Sequence, residues 1–136
     1  MLLFTNFLNA LTISNIIPKR LLLQTGGKHY SIHLGPTLSP QEETDPGFHS
    51  EPNFYFPQED FVWEWSRANK THWNVTRPGF IIGAVREATM SIAYGLAIFA
   101  SVQKELGRDL PFPGEIAAWD VEKNLSSARR ISRLRG

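Results

Sequence analysis

The sequence predicts an α/β fold, and three observations carry that reading. Residues 21–24, Leu-Leu-Leu-Gln, form a short continuous apolar run ending in the turn glycines Gly26 and Gly27, the pattern of a parallel strand buried on both faces. Helical and strand-like segments follow one another as helix, strand, loop, helix, strand, helix, which is α/β layering. No glycine-rich turn able to hold a pyrophosphate precedes that first strand; Gly26-Gly27 lacks a third glycine and follows the wrong strand. The expectation is a partial α/β domain lacking its N-terminal dinucleotide-binding half.

Leu3, Phe7, Leu8, Ala10 and Leu11 recur at helical spacing and predict a helix over residues 3–14, closed by Pro18. Residues 35–53 carry four prolines and the acids Glu42, Glu43 and Asp45, so they read as a long loop, functional or partly mobile. Pro57 suits the first turn of the next helix, Glu59 and Asp60 suit its positive end, and Phe61, Val62, Trp65 and Ala68 give it an apolar face ending near Asn69. Residues 73–77 alternate like a strand stopped by Pro78-Gly79, and Phe80-Ile81-Ile82 is an apolar loop or a short strand. The longest helix is expected from Glu87 to Leu106, stopped by Gly107. Residues 110–114 read as a short strand or extended loop.

At 136 residues with 42% hydrophobic and 20% charged content, the chain suits one ordinary folded domain. The net charge of +1 conceals an asymmetry. Arg129, Arg130, Arg133 and Arg135 lie in the last eight residues without an acid, so residues 1–128 carry −3. A mildly acidic body argues against nucleic acid as a partner. The absence of cysteine removes disulfides, thiolate catalysis and cysteine zinc sites together. His29, His33, His49 and His72 match no ligand spacing, so no metal site is expected. Residues 1–17 are uncharged and apolar, but Asn6, Asn9, Thr12, Ser14 and Asn15 interrupt them and no basic n-region is present. They read as a buried helix, not a signal peptide or membrane span, and the protein as cytoplasmic. Three Asn-x-Ser/Thr triplets, at Asn69, Asn74 and Asn124, are read as unused.

Chemistry centres on Lys28 and Tyr55. Lys28 follows a strand end and Tyr55 opens a helix, both places where α/β folds build sites. A phenol with a free pKa of about 10 stabilises an anion poorly until a cation assists it, and a lysine ammonium supplies that help. By spacing alone the pair also reads as a surface lysine and a core tyrosine. Phe56, Trp63, Met90, Tyr94 and Phe99 read as core residues or as the lining of an apolar pocket. Pro78-Gly79 reads equally as a plain turn.

Here a resemblance becomes specific. Residues 21–30, Leu-Leu-Leu-Gln-Thr-Gly-Gly-Lys-His-Tyr, resemble the motif bearing the catalytic lysine of the progesterone 5β-reductase and iridoid synthase (PRISE-like) family of atypical short-chain dehydrogenases. Residues 53–60, Asn-Phe-Tyr-Phe-Pro-Gln-Glu-Asp, are similar to that family's tyrosine motif. Residues 73–83 and 117–119 resemble two later motifs, all in family order from residue 6 to residue 128. The resemblance implies a partial Rossmann-like, extended short-chain dehydrogenase fold with Tyr55 and Lys28 catalytic. It implies NADPH as cofactor, contacted by Lys28, Pro78, Gly79, Phe80 and Ile81, and an enone or enal substrate whose C=C bond is reduced. Ordinary short-chain dehydrogenases place the lysine four residues after the tyrosine; here that position is Glu59, which also argues against a nucleotide-sugar epimerase or dehydratase.

The departures from the family carry expectations too. Residues 1–128 are expected to be the C-terminal catalytic part of such a domain, and residues 129–136 a basic tail unlike the family. Both ends read as cut, which makes the chain a fragment that does not hold cofactor alone. A strand patterned for two neighbours would then expose an edge, so the alternative is an inactive product that self-associates through it.

Overall fold

In a computed structural model describing residues 2–84, 86–87 and 90–133, helix α1 spans Leu2–Ile13 and strand β1 spans Arg20–Gln24. Helix α2 covers Tyr55–Ala68, strand β2 His72–Thr76 and strand β3 Phe80–Ile82. Helix α3 covers Ile92–Glu105, strand β4 Leu125–Ser127 and the one-turn helix α4 Ala128–Ile131. Two 3-10 turns, Gly27–Tyr30 and Ile116–Ala118, complete the elements.

These elements fall into two compact units. The first holds the residues up to Thr37 together with Gln41–Arg77. In it β1 and β2 pair in parallel, Arg20 opposite His72 through Gln24 opposite Thr76, a pairing that needs a crossover, which α2 supplies. The core is small and explicit. Leu8 of α1 and Val62 and Trp65 of α2 are buried, with Phe4, Leu11, Leu21, Leu23 and Phe61 packed around them. Phe4 meets Phe61 edge-on at 6.3 Å, and the Trp65 indole N–H donates to the Thr12 hydroxyl at 2.9 Å, so the tryptophan buries its ring without stranding its donor.

β1 departs from the expected two-faced burial. Leu21 and Leu23 turn toward the helices while Leu22 is 46% exposed. The physical reason is that α1 and α2 cover one face of the strand, so a run patterned for two covered faces is half used.

The second unit comprises Leu38–Pro40 and the chain from Pro78 onward. Its β3 and β4 are also parallel, with Phe80 opposite Leu125, Ile81 opposite Ser126 and Ile82 opposite Ser127. β4 has no periodic sequence signal and was not anticipated; it exists through this pairing. The helix expected from Glu87 begins at Ile92 instead, after an extended Ser91 whose hydroxyl accepts from the Gly83 amide at 3.3 Å. Ala88 and Thr89 of that expected helix lie outside the described residues. The helix stops as anticipated, with Gly107 at φ +62°. Residues 110–114 form no strand; Phe112 instead meets Trp119 edge-on at 4.9 Å.

No helix among the described residues is long and apolar enough to cross a membrane. Leu8→Ala is expected to cost roughly 2–5 kcal/mol, read as a fall in the denaturant midpoint at unchanged m-value; a cost below 1 kcal/mol would show that α1 is not packed on α2 as described.

Candidate active site

Lys28 lies in the Gly27–Tyr30 turn immediately beyond the carboxyl end of β1, with its side chain exposed to solvent. Tyr55 is the first residue of α2 and is half-buried. The two positions, strand end and helix start, are those the sequence assigned. What joins them is Asn53. Its side-chain amide donates to the Lys28 carbonyl at 3.0 Å, and its side-chain oxygen accepts the Tyr55 backbone N–H, also at 3.0 Å. Lys28 and Asn53 also border a cavity of about 100 Å³ with Ser31, His33, Phe48 and Phe54.

Next to these residues in the chain runs a part-buried polar cluster. Arg77, just past β2, grips Glu59 of α2 with both arms of its guanidinium, Nη2 to Oε2 at 2.6 Å and Nε to Oε1 at 3.2 Å. The buried Thr25 hydroxyl at the end of β1 donates to Glu59 Oε1 at 3.0 Å. Arg77 also donates to the Tyr30 hydroxyl at 3.3 Å, and that hydroxyl donates to the Glu42 carbonyl at 3.1 Å. His29 is buried, with Nδ1 3.5 Å from Glu59 Oε1, a loose electrostatic contact and not a hydrogen bond.

The charges follow from these contacts. Burial alone would raise the Glu59 carboxyl, but the hydrogen bonds and charge of Arg77, aided by Thr25, outweigh it and hold Glu59 below the ordinary carboxylate value. Burial first, then the Arg77 charge, lowers His29 below an ordinary imidazole, with Glu59 opposing. The Glu59 hydrogen bond holds Arg77 more firmly protonated still.

The long loop between the Gly27–Tyr30 turn and α2 is pinned to that turn. The Phe48 N–H donates to the His29 carbonyl at 3.2 Å, Tyr30 reaches Glu42, and Asn53 reaches Lys28. Phe56 contacts His29 edge-on at 5.1 Å and stacks on His49 at 4.0 Å; it is packing for this loop. Trp63 is 48% exposed on α2 and carries Arg67 over its ring at 5.6 Å.

Pro78, Gly79, Phe80 and Ile81, together with Met90, Tyr94 and Phe99, belong to the second unit. There the Gly79 N–H donates to the Ser126 hydroxyl at 3.1 Å and the Phe80 N–H to the Asn124 carbonyl at 3.0 Å. A side chain at Gly79 would run into that Asn124 carbonyl oxygen, so the glycine permits the close approach of two chain segments. Ile81 and Met90 border an open cavity of about 740 Å³. Among the described residues no cluster of side chains suits a metal ion.

Residues 6–135 match the model of the PRISE-like Rossmann-fold domain. The chain belongs to that family. A short chain dehydrogenase of Penicillium aethiopicum is 38% identical over 97% of this chain and 36% of its own length. An (S)-8-oxocitronellyl enol synthase of Nepeta racemosa is 34% identical over 93% of this chain and 34% of its own. A 3-oxo-Delta(4,5)-steroid 5-beta-reductase of Arabidopsis thaliana is 34% identical over 84% of this chain and 31% of its own. The PRISE-like chain thus spans about a third of the length of the curated relatives it matches, in keeping with a partial Rossmann-like fold.

Glu59, Arg77, Thr25 and Asn53 were assigned no part in the site from sequence. Glu59 carried a faint signal, an acid standing where ordinary short-chain dehydrogenases have lysine; the remaining three became visible only through their partners.

The cluster sets a pH dependence. Because Glu59 titrates below its ordinary 4.5 and His29 below its ordinary 6.5 in the fold, each contributes stability above its unfolded value and loses it as pH falls through the folded one. The melting temperature is expected to be level above pH 6.5, to fall below it as His29 takes up a proton, and to fall further below 4.5 with Glu59. Glu59→Gln should cost about 1–3 kcal/mol at neutral pH, because it leaves Arg77 without its counter-charge in a part-buried site, and should flatten the lower step. Melting curves of both proteins from pH 7 down to about pH 2.5 check this; a mutant whose acid limb matches the native one would refute the assignment.

Proposed function

We propose that this chain is the catalytic part of an NADPH-dependent reductase acting on the C=C bond of an enone or enal. The observation that carries the reading is the siting of Lys28 beyond a parallel strand and Tyr55 at the start of the following helix, with Glu59 occupied by Arg77. With an acid locked into the position four residues beyond the tyrosine, the cation beside the phenol comes from the strand end instead. The names of the relatives, an enol synthase and a steroid 5-beta-reductase among them, support the same chemistry.

Bound NADPH would supply the hydride that adds to the β-carbon. Hydride addition there would push the C=C electron pair toward the carbonyl, leaving an enolate oxygen for the chain's own residues to stabilise. The Tyr55 hydroxyl would donate a hydrogen bond to that oxygen, and the Lys28 ammonium would favour the developing negative charge and could help hold the cofactor. A proton from solvent then completes the α-carbon.

The residues present suit such a cofactor in part. Lys28 is exposed at a strand end, where ligands of open α/β sheets bind. At Pro78–Ile81 the Gly79 and Phe80 amides already have partners within the second unit, so these two donors are already spent.

The test is a chimera in which this chain replaces the matching segment of the Penicillium aethiopicum relative. It should oxidise NADPH with 2-cyclohexen-1-one, and Tyr55→Phe should lower kcat by about 10²–10³, the worth of one oxyanion donor. Equal rates in the two proteins would remove Tyr55 from the chemistry.

The half-exposed Leu22 favours a second reading, in which the chain is inactive and associates with other copies through the uncovered side of β1. Sedimentation velocity decides it: concentration-dependent dimers that Leu22→Lys abolishes would support this reading, and a monomer at 100-fold dilution and at full concentration would dismiss it.

A further inference from the structure

We propose that Asn53 is a positioning residue that sets the Lys28 turn against the first turn of α2, and so fixes the lysine and the tyrosine as one unit. The inference rests on the catalytic reading of Lys28 and Tyr55 given above.

The geometry is specific to an asparagine. One side chain donates to the Lys28 carbonyl and accepts from the Tyr55 amide, both at 3.0 Å. Those partners, a carbonyl on one side and an N–H on the other, fix which end of the amide faces which. Aspartate keeps the acceptor for Tyr55 but presents an oxygen to the Lys28 carbonyl. Serine is too short to span both, and alanine offers neither.

Each partner needs the tie. Lys28 is solvent-exposed with a long flexible stem, so where its ammonium dwells depends on how firmly its backbone is held. Its turn is short, closed by the His29 N–H to the Gly26 carbonyl at 3.0 Å and followed by Ser31 in the left-handed region at φ +64°. Tyr55 opens α2 behind Phe54, whose side chain caps nothing. Asn53 supplies the bond that Phe54 does not, as an Asx turn in which its side-chain oxygen accepts from the N–H two residues on. Catalytic groups misplaced by about 1 Å lose as much as 10²-fold in rate, so a bond that joins the two backbones acts on rate and leaves substrate affinity alone.

The experiment has two arms. In the 136-residue chain, amide hydrogen exchange is followed for His29 and Tyr55 in the native protein, Asn53→Asp and Asn53→Ala. Asn53→Asp should leave the Tyr55 amide protected and speed exchange at His29; Asn53→Ala should speed both. In the chimera described above, Asn53→Asp should lower kcat about tenfold, short of the 10²-fold of a full misplacement, with KM for 2-cyclohexen-1-one within twofold of native. Native kcat in Asn53→Asp, or a loss of rate accompanied by loss of Tyr55 protection and an equal rise in KM, would overturn the proposal. A chimera without turnover would defeat the functional reading, and the exchange arm would still decide the tie: unchanged exchange at His29 in Asn53→Asp refutes it, and faster exchange there upholds it.

Discussion

The first unit depends on one carboxylate. Glu59 projects from α2 to the place where β1 and β2 both end, and it receives a donor from each: Thr25 from beyond β1 and the Arg77 fork from beyond β2. A parallel strand pair with one crossover helix has no hairpin to set the angle between helix and sheet. Here a charged clamp does so, at the end where the chemistry is proposed. Such pairs cost desolvation, and the geometry offsets it only when the remaining lone pairs and protons are used. Both Glu59 oxygens are used, and Arg77 spends a further donor on Tyr30.

On the proposed reading, the clamp also accounts for the separation of Lys28 and Tyr55 in the sequence. In a helix the residue four beyond Tyr55 lies on the same face one turn on, and here that place is given to holding the sheet. In the proposed chemistry a cation beside the tyrosine would have to come from another element, and the Thr25–Glu59 bond ties α2 to the residue just after β1. Structure and proposed chemistry compete for one helical position, and the structural role takes it.

Much of this was legible in the sequence where the signal was local. The periodicity of Leu8 and Leu11, the apolar run of β1, Pro57 in the first turn of α2 and Gly107 after α3 each announce an element through its own residues. Lys28 and Tyr55 were legible as positions. Long-range pairing was not: β4 exists through its ladder with β3, and α3 starts late because Ser91 is extended and bound to Gly83. Arg77 and Asn53 look like ordinary polar residues of a turn and a loop. Their roles come from partners 18 and 25 residues away, a distance over which sequence pattern carries no geometry.

One loop glycine has a consequence for how this region can vary. A β-carbon on Gly47 would meet the Phe56 ring at 2.6 Å and the His29 imidazole at 3.1 Å, while its neighbours Pro46 and Phe48 both carry side chains. A shift of the loop by one residue in either direction would force one of these into a gap that admits only a hydrogen atom. The loop has no regular secondary structure, yet it has a register as strict as a strand's. Length changes are therefore confined to the stretch before the pinch, around residues 32–41, while the path from Gly47 to Tyr55 keeps its count. A segment that reads by composition as free connecting chain is a measured spacer between two side chains.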